Sequence, residues 1–114
     1  MTDEEAWALE ERFWLEGSSV YGAHLDPACL MAFPGIGVLR ATDILDSLKR
    51  ASRWESVDII DRRISRPGAG LIVLGYAGEG HRYGAEIYRC FCTSTHRFDA
   101  GVWKLIQHQQ TPAG

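Results

Sequence analysis

The sequence has no long hydrophobic run. Its apolar stretches last a few residues, as in Cys29-Leu30-Met31-Ala32-Phe33 and Leu71-Ile72-Val73-Leu74, far short of the roughly 20 needed to cross a bilayer as a helix. Nor is there an excess of positive charge: 12 lysines and arginines stand against 15 acids. The basic residues are scattered, so no broad nucleic-acid footprint is expected. The one basic cluster, Arg62, Arg63 and Arg66, lies beside Asp58 and Asp61 and reads as a solvated strand face. Cysteine is scarce and odd in number, at three, which suits free thiols in a reducing compartment. The opening Met1-Thr2-Asp3-Glu4-Glu5 is acidic and does not read as a secretory signal. A cytoplasmic location is the expectation. Repeats, low-complexity tracts and linkers are also missing.

What is present is the composition of a folded domain. The 114 residues are 46% hydrophobic and 24% charged, which excludes wholesale disorder and suits one domain over 1–114 with its own core. Thr2 followed three residues on by Glu5 fits a capping box, with Asp3, Glu4 and Glu5 at the positive end of the helix dipole. Ala6, Leu9, Phe13 and Val20 form an apolar stripe, widened by Trp7, Trp14 and Tyr21. The stripe predicts one helix that runs on through Gly17-Ser18-Ser19. Gly22 to Pro27 reads as a connection, Cys29–Phe33 as a buried strand, and Pro34–Gly37 as its end. Thr42 opens a second helix reaching Arg50, with Ile44, Leu45 and Leu48 as its apolar face.

From Trp54 onward the pattern turns to strands: Val57–Ile64, Leu71–Ala77, Tyr83–Phe98 and Val102–Gln110. Turn signals separate them at 66–70, 78–81 and 99–101. Four strands joined by short turns make an antiparallel meander. Helices followed by a run of strands predict an α+β fold. A strongly curved antiparallel sheet with the helices in its concave face would bury Trp7, Phe13, Trp14 and the second helix's leucines together.

Several residues could carry chemistry. Cys90 and Cys92 point to one face of a strand, in a row with Tyr88 and Ser94. A three-residue loop centred on Ala100 puts His108 opposite Cys92, where two thiols and an imidazole could bind zinc or activate a nucleophile. A four-residue loop instead puts Gln109 opposite Cys92 and Gln107 opposite Ser94. Small thiols filling a tight core are the simpler account. In the polar run Gln107-His108-Gln109-Gln110, one alternating pair must face the core or a partner. Those side chains are either hydrogen-bonded within the fold or wait for a ligand. Glu86 shares a strand face with Tyr88; turned inward it could act as a general base, and at the sheet rim it would be exposed. Asp58 and Asp61 fall on opposite faces and make no acid/base pair. Gly78-x-Gly80 is no phosphate loop, because no helix follows it. No cofactor is implied.

The order of features is that of a known family: Phe13-Trp14 and Tyr21, the strand end Phe33-Pro34, Gly37, Arg53-Trp54, Val57, Tyr76-Ala77, Tyr88 and Cys92-Thr93-Ser94-Thr95. It closes on Trp103-x-Leu105-x-Gln107-His108-Gln109-Gln110-Thr111-Pro112, the most specific part. The chain resembles, over almost its whole length, the SnoaL-like branch of the nuclear transport factor 2-like superfamily, in particular its small bacterial domains of unassigned function. The resemblance implies a cone-shaped roll, a pocket at the open end of the cone and a homodimer formed through the sheets. It implies no single activity, since relatives include isomerases, dehydratases, epoxide hydrolases, polyketide cyclases and non-catalytic binding or assembly domains. The inward catalytic Asp of the isomerases and cyclases, and the Asp-Arg-Asp arrangement of the epoxide hydrolases, have no match here. The short segment between the first helix and Cys29 predicts a small or closed pocket.

Three functions follow as expectations. A binding domain would hold a small, mostly apolar molecule among Trp14, Tyr21, Trp54, Tyr76 and Tyr88, with Cys92 and Ser94 in the same lining. An isomerase or lyase would use Glu86 or His108 as general base and Tyr88 as hydrogen-bond donor. A non-catalytic interaction module would fill the cone with its own side chains. A homodimer through the sheet face accompanies each, with Ile59, Ile87 and Phe91 on the exposed side in one of two possible registers.

Overall fold

A computed structural model of the chain describes residues 1–113. The expected capping box starts the first helix, α1 (Asp3–Leu15): Glu5 N–H donates to the Thr2 hydroxyl at 3.1 Å, and Thr2 N–H to the Glu5 carboxylate at 2.9 Å. The helix does not run on to Tyr21 as expected. Glu16 and Gly17 leave helical geometry, and a second helix, α2 (Ser18–His24), carries Val20 and Tyr21. Glycine and serine are poor helix formers. The guanidinium of Arg53 takes up the carbonyls freed at the break, donating to Phe13, to Trp14 at 2.9 Å and to Glu16 at 2.9 Å.

The chain turns at once into β1 (Leu25–Phe33), longer than the expected strand, and then into β2 (Gly37–Arg40), a stretch where the sequence pattern predicts no strand. Helix α3 spans Ala41–Ser47, one residue earlier than Thr42 and short of Arg50. Its start is set by Asp43, whose carboxylate accepts from Arg40 N–H at 3.1 Å. Ile44 is buried, Leu48 packs at the core's margin and Leu45 stays exposed.

The meander follows as β3 (Ser56–Gly68), β4 (Leu71–His81), β5 (Tyr88–Asp99) and β6 (Val102–Pro112). Residues 78–81 are strand and not the expected turn; the turn lies at 82–87, so Glu86 and Ile87 fall outside β5. The reason is packing. Trp14 packs against Gly78 and Trp54 against Gly80. A Cβ at Gly80 would stand 2.8 Å from the Trp54 ring, and one at Gly78 3.1 Å from Trp14. These glycines make room within a strand, where the sequence pattern reads them as turn formers.

The sheet has six strands in the order β2-β1-β6-β5-β4-β3. All pairs are antiparallel except β1 with β6. The helices fill the concave side, with α1 against β3, α2 against β6 and α3 against β1 and β2. Trp7, Phe13 and Trp14 are buried there as expected. Ile59 also faces inward and is buried, contrary to the register that exposed it; Ile60 takes the outer face instead. A bulge follows at Asp61, which has a φ of 53°. No helix among the described residues is long and apolar enough to cross a membrane.

The β5–β6 hairpin decides the interior. Its two-residue turn, Ala100-Gly101, has φ values of 50° and 81°, the left-handed pair that suits strand twist. It pairs Asp99 with Val102 and His96 with Leu105. A bulge at Ile106 then shifts the register, setting His108 opposite Ser94 and Gln110 opposite Cys92. Neither expected register holds along the whole hairpin, because neither allowed for an extra residue in β6. His108 therefore does not face Cys92.

Candidate functional site

The cone is open at one end and holds a cavity of about 770 Å³. The expectation of a small or closed pocket fails, because β1 and β2 widen the sheet beyond the meander. Phe13, Trp14 and Tyr21 line the cavity from the helices, Met31, Phe33, Leu39, Tyr88 and Leu105 from the sheet, and Trp54 from the segment before β3. Asp43, Asp46, Arg50, Arg82 and Glu86 stand exposed at its mouth. Glu10, His108 and Gln110 reach it from below.

Trp54 organises the mouth. Its ring stacks on Tyr88 with centroids 5.5 Å apart and planes 10° apart, and it meets Trp14 at 5.8 Å. The Arg82 guanidinium covers it at 3.7 Å and is itself held by the Ser52 carbonyl. Such a stack is mostly apolar, with one charge exposed to water.

The floor is a buried polar network centred on Glu10, whose side chain is 1% exposed. Its Oε2 accepts from the Tyr76 hydroxyl at 2.5 Å and from the Ser94 hydroxyl at 2.6 Å; its Oε1 accepts from His96 Nε2–H at 3.0 Å. Trp14 Nε1–H donates to the Tyr76 oxygen at 2.9 Å. Burial pushes the Glu10 carboxyl up, but the His96 hydrogen bond, the electrostatic pull of His108 and His96 and the Ser94 hydroxyl outweigh it and bring it down to about 2. Glu10 is thus a carboxylate at neutral pH. Burial and the neighbouring carboxylate raise the Tyr76 hydroxyl well above its ordinary value, so it stays a donor. His108 is held below its ordinary value by burial, which outweighs the pull of Glu10.

The anticipated site residues divide among three places. Trp14, Tyr21, Trp54, Tyr88 and His108 border the cavity. Tyr76, Cys92 and Ser94 lie in a layer behind it: Tyr76 and Ser94 hold Glu10, and Cys92 packs with its sulfur 3.4 Å from that of Cys90. Glu86 sits in the exposed loop at the mouth and does not point inward from a strand. The hydroxyl of Tyr88 is buried without a partner, as is Nδ1 of His96. The sequence reading passed over Glu10 and His96. Glu10 had a signal: it falls between Ala6 and Phe13 at helical spacing, an acid inside the apolar stripe. His96 had none before the strand register was known.

No family model matches the sequence, and no curated protein matches it. Solved structures match it well in shape. A candidate ketosteroid isomerase from Parabacteroides distasonis superposes with a TM-score of 0.83 at 15% identity, covering 99% of this chain and 89% of its own. A nuclear transport factor 2-like protein from Cytophaga hutchinsonii gives 0.81 at 14% identity, covering 99% and 100%. Another, from Rhodospirillum rubrum, described as of unknown function in nutrient uptake, gives 0.79 at 18% identity, covering 95% and 98%. Likeness at this identity establishes the nuclear transport factor 2-like cone fold over nearly the whole chain, and the fold alone.

Proposed function

We propose that the domain binds a small, mostly apolar molecule in the cone, with the molecule's polar end turned toward His108 and Gln110. One observation carries the reading: a cavity of about 770 Å³ whose walls are aromatic and aliphatic while its floor gathers Glu10, His108 and Gln110. That volume and that contrast are typical of small-molecule sites. The three cysteines are free thiols, in keeping with a reducing cytoplasm. The position of His108 on the floor favours a second reading, an isomerase- or lyase-type enzyme with His108 as general base; Glu86, exposed at the mouth, has no comparable support.

The test is a two-dimensional NMR titration with 2-methoxynaphthalene, a flat apolar probe small enough for the cavity. Saturable shifts of the Trp14 and Trp54 indole N–H signals are expected, and Met31→Trp, which fills the cavity, should abolish them. Signals that do not move would overturn the reading.

A further inference from the structure

The hydrogen positions in the floor network follow from counting donors. A hydroxyl carries one proton. The Ser94 oxygen stands 2.6 Å from the Glu10 carboxylate and 2.7 Å from His108 Nδ1. The carboxylate has no proton to give, so the Ser94 proton lies toward Glu10. His108 Nδ1 must then bring its own proton and donate it to the Ser94 oxygen. The neutral imidazole is left with a lone pair on Nε2. Gln110 agrees with this assignment: its side-chain nitrogen lies 3.1 Å from His108 Nε2, a contact that works only if the amide N–H donates. Both His108 and Gln110 border the cavity. The buried partners Glu10 and Ser94 therefore fix, from behind, which nitrogen of His108 meets a ligand.

We infer that His108 and Gln110 form a recognition site for a neutral hydroxyl group, an alcohol or phenol on an apolar body. This deepens the binding function proposed above and rests on it. The hydroxyl donates its proton to His108 Nε2 and accepts from the Gln110 amide, which swings aside to make room. One acceptor and one donor on adjacent side chains match the two capacities of a hydroxyl. A carboxylate offers no proton to the lone pair, and it would approach the buried charge of Glu10. An ether offers an acceptor only: it gains nothing from the lone pair, and if it draws the Gln110 amide to itself it leaves the imidazole nitrogen unpaired, the kind of loss that polar sites discriminate strongly. Ser94 and Glu10 are positioning residues in this scheme and do not touch the ligand.

The decisive comparison uses the wild-type protein with three probes: 2-naphthol, 2-methoxynaphthalene and 2-naphthoate. Titration calorimetry should give 2-naphthol at least tenfold tighter binding than the ether, with the carboxylate weakest. Nitrogen-15 spectra of labelled histidine should place the unprotonated signal of His108 at Nε2, and 2-naphthol alone should move it. Ser94→Ala should weaken that tautomer preference and narrow the gap between 2-naphthol and the ether, while ether binding persists. Equal binding of 2-naphthol and ether, or preference for the carboxylate, would overturn the inference and leave the cavity function standing. A lone pair on Nδ1 would overturn it as well. Binding of none of the three would overturn the cavity function and this inference together.

Discussion

Glu10 shows how much one side chain can depend on its surroundings. On an isolated helix it would be an ordinary surface acid. Inside the cone it is a carboxylate with three donors aimed at it, from Tyr76, Ser94 and His96. Removing the charge leaves those donors facing an amide or a void. Glu10→Gln should therefore cost about 3 kcal/mol in urea-induced unfolding. The network also predicts acid sensitivity with a definite sign. A carboxyl lowered in the fold to about 2 contributes stability that is complete above its unfolded value near 4.5 and is lost as pH falls toward 2. A histidine lowered by burial works in the same direction: the contribution of His108 is complete above about 6.5 and declines below it. Urea midpoints measured from pH 8 to pH 2 should fall in two stages. Glu10→Gln should flatten the lower stage and His108→Gln the upper. A wild-type protein whose midpoint is constant from pH 7 to pH 3 would contradict both assignments.

Among the elements, β4 carries the clearest lesson. Its inner face alternates Ile72, Leu74, Tyr76, Gly78 and Gly80, and the last two are vacant so that indole rings can lie on the strand. Gly80→Val should displace Trp54, lower stability by roughly 1–3 kcal/mol and shift tryptophan emission to the red. Gly75, on the outer face, is the control: nothing lies closer than 4.0 Å to a Cβ placed there, so Gly75→Ala should change stability by less than ~1 kcal/mol. If the two substitutions behave alike, the glycines of β4 are not spacers. The same kind of dependence explains α1. Its end is completed by Arg53, which lies 37 residues beyond Glu16, so nothing local marks where the helix should stop. Likewise the bulge at Ile106 is one residue in length, yet it moves His108 from opposite Thr93, where the register at the turn would put it, to opposite Ser94.

At the scale of the whole molecule, the centre of the sheet's outer face stands out for its lack of charge, between the Asp58-Glu79-Arg89 row at one end and Arg97 at the other. Ile60 pairs with Ala77, Ala77 with Phe91 and Phe91 with Thr111; beside them run Gly75, Thr93 and Gln109, then Val73, Thr95, Gln107 and Leu30. Across β4, β5, β6 and β1 these rows carry no ionised side chain, in a chain that is 24% charged; Arg63, opposite Gly75 on β3, and Arg40, opposite Leu30 on β2, stand only at their ends. Phe91 is 57% exposed and Leu30 50%. We propose that a second copy covers this face, making the homodimer that the family resemblance implies. Sedimentation velocity at micromolar concentration should report a dimer for the wild type and a monomer for Phe91→Lys, with the circular dichroism spectrum unchanged. A monomeric wild type would refute the proposal.

Local chemistry in the sequence was enough to determine the α+β class, the capping of α1, the meander and the apolar stripe that buries Trp7, Phe13 and Trp14. Each of these depends on residues a few positions apart, whose spacing and propensity are written in order along the chain. Tertiary structure alone decided the break after Leu15, the extension of β4 over Gly78 and Gly80, the parallel pairing of β1 with β6 and the register that sets His108 beside Ser94. These depend on groups brought together across the fold, and a one-residue bulge is enough to reassign every side chain beyond it. The floor of the cavity belongs to that second kind: its carboxylate comes from the first helix, its hydroxyls and imidazoles from three separate strands, and only the curvature of the sheet makes them neighbours.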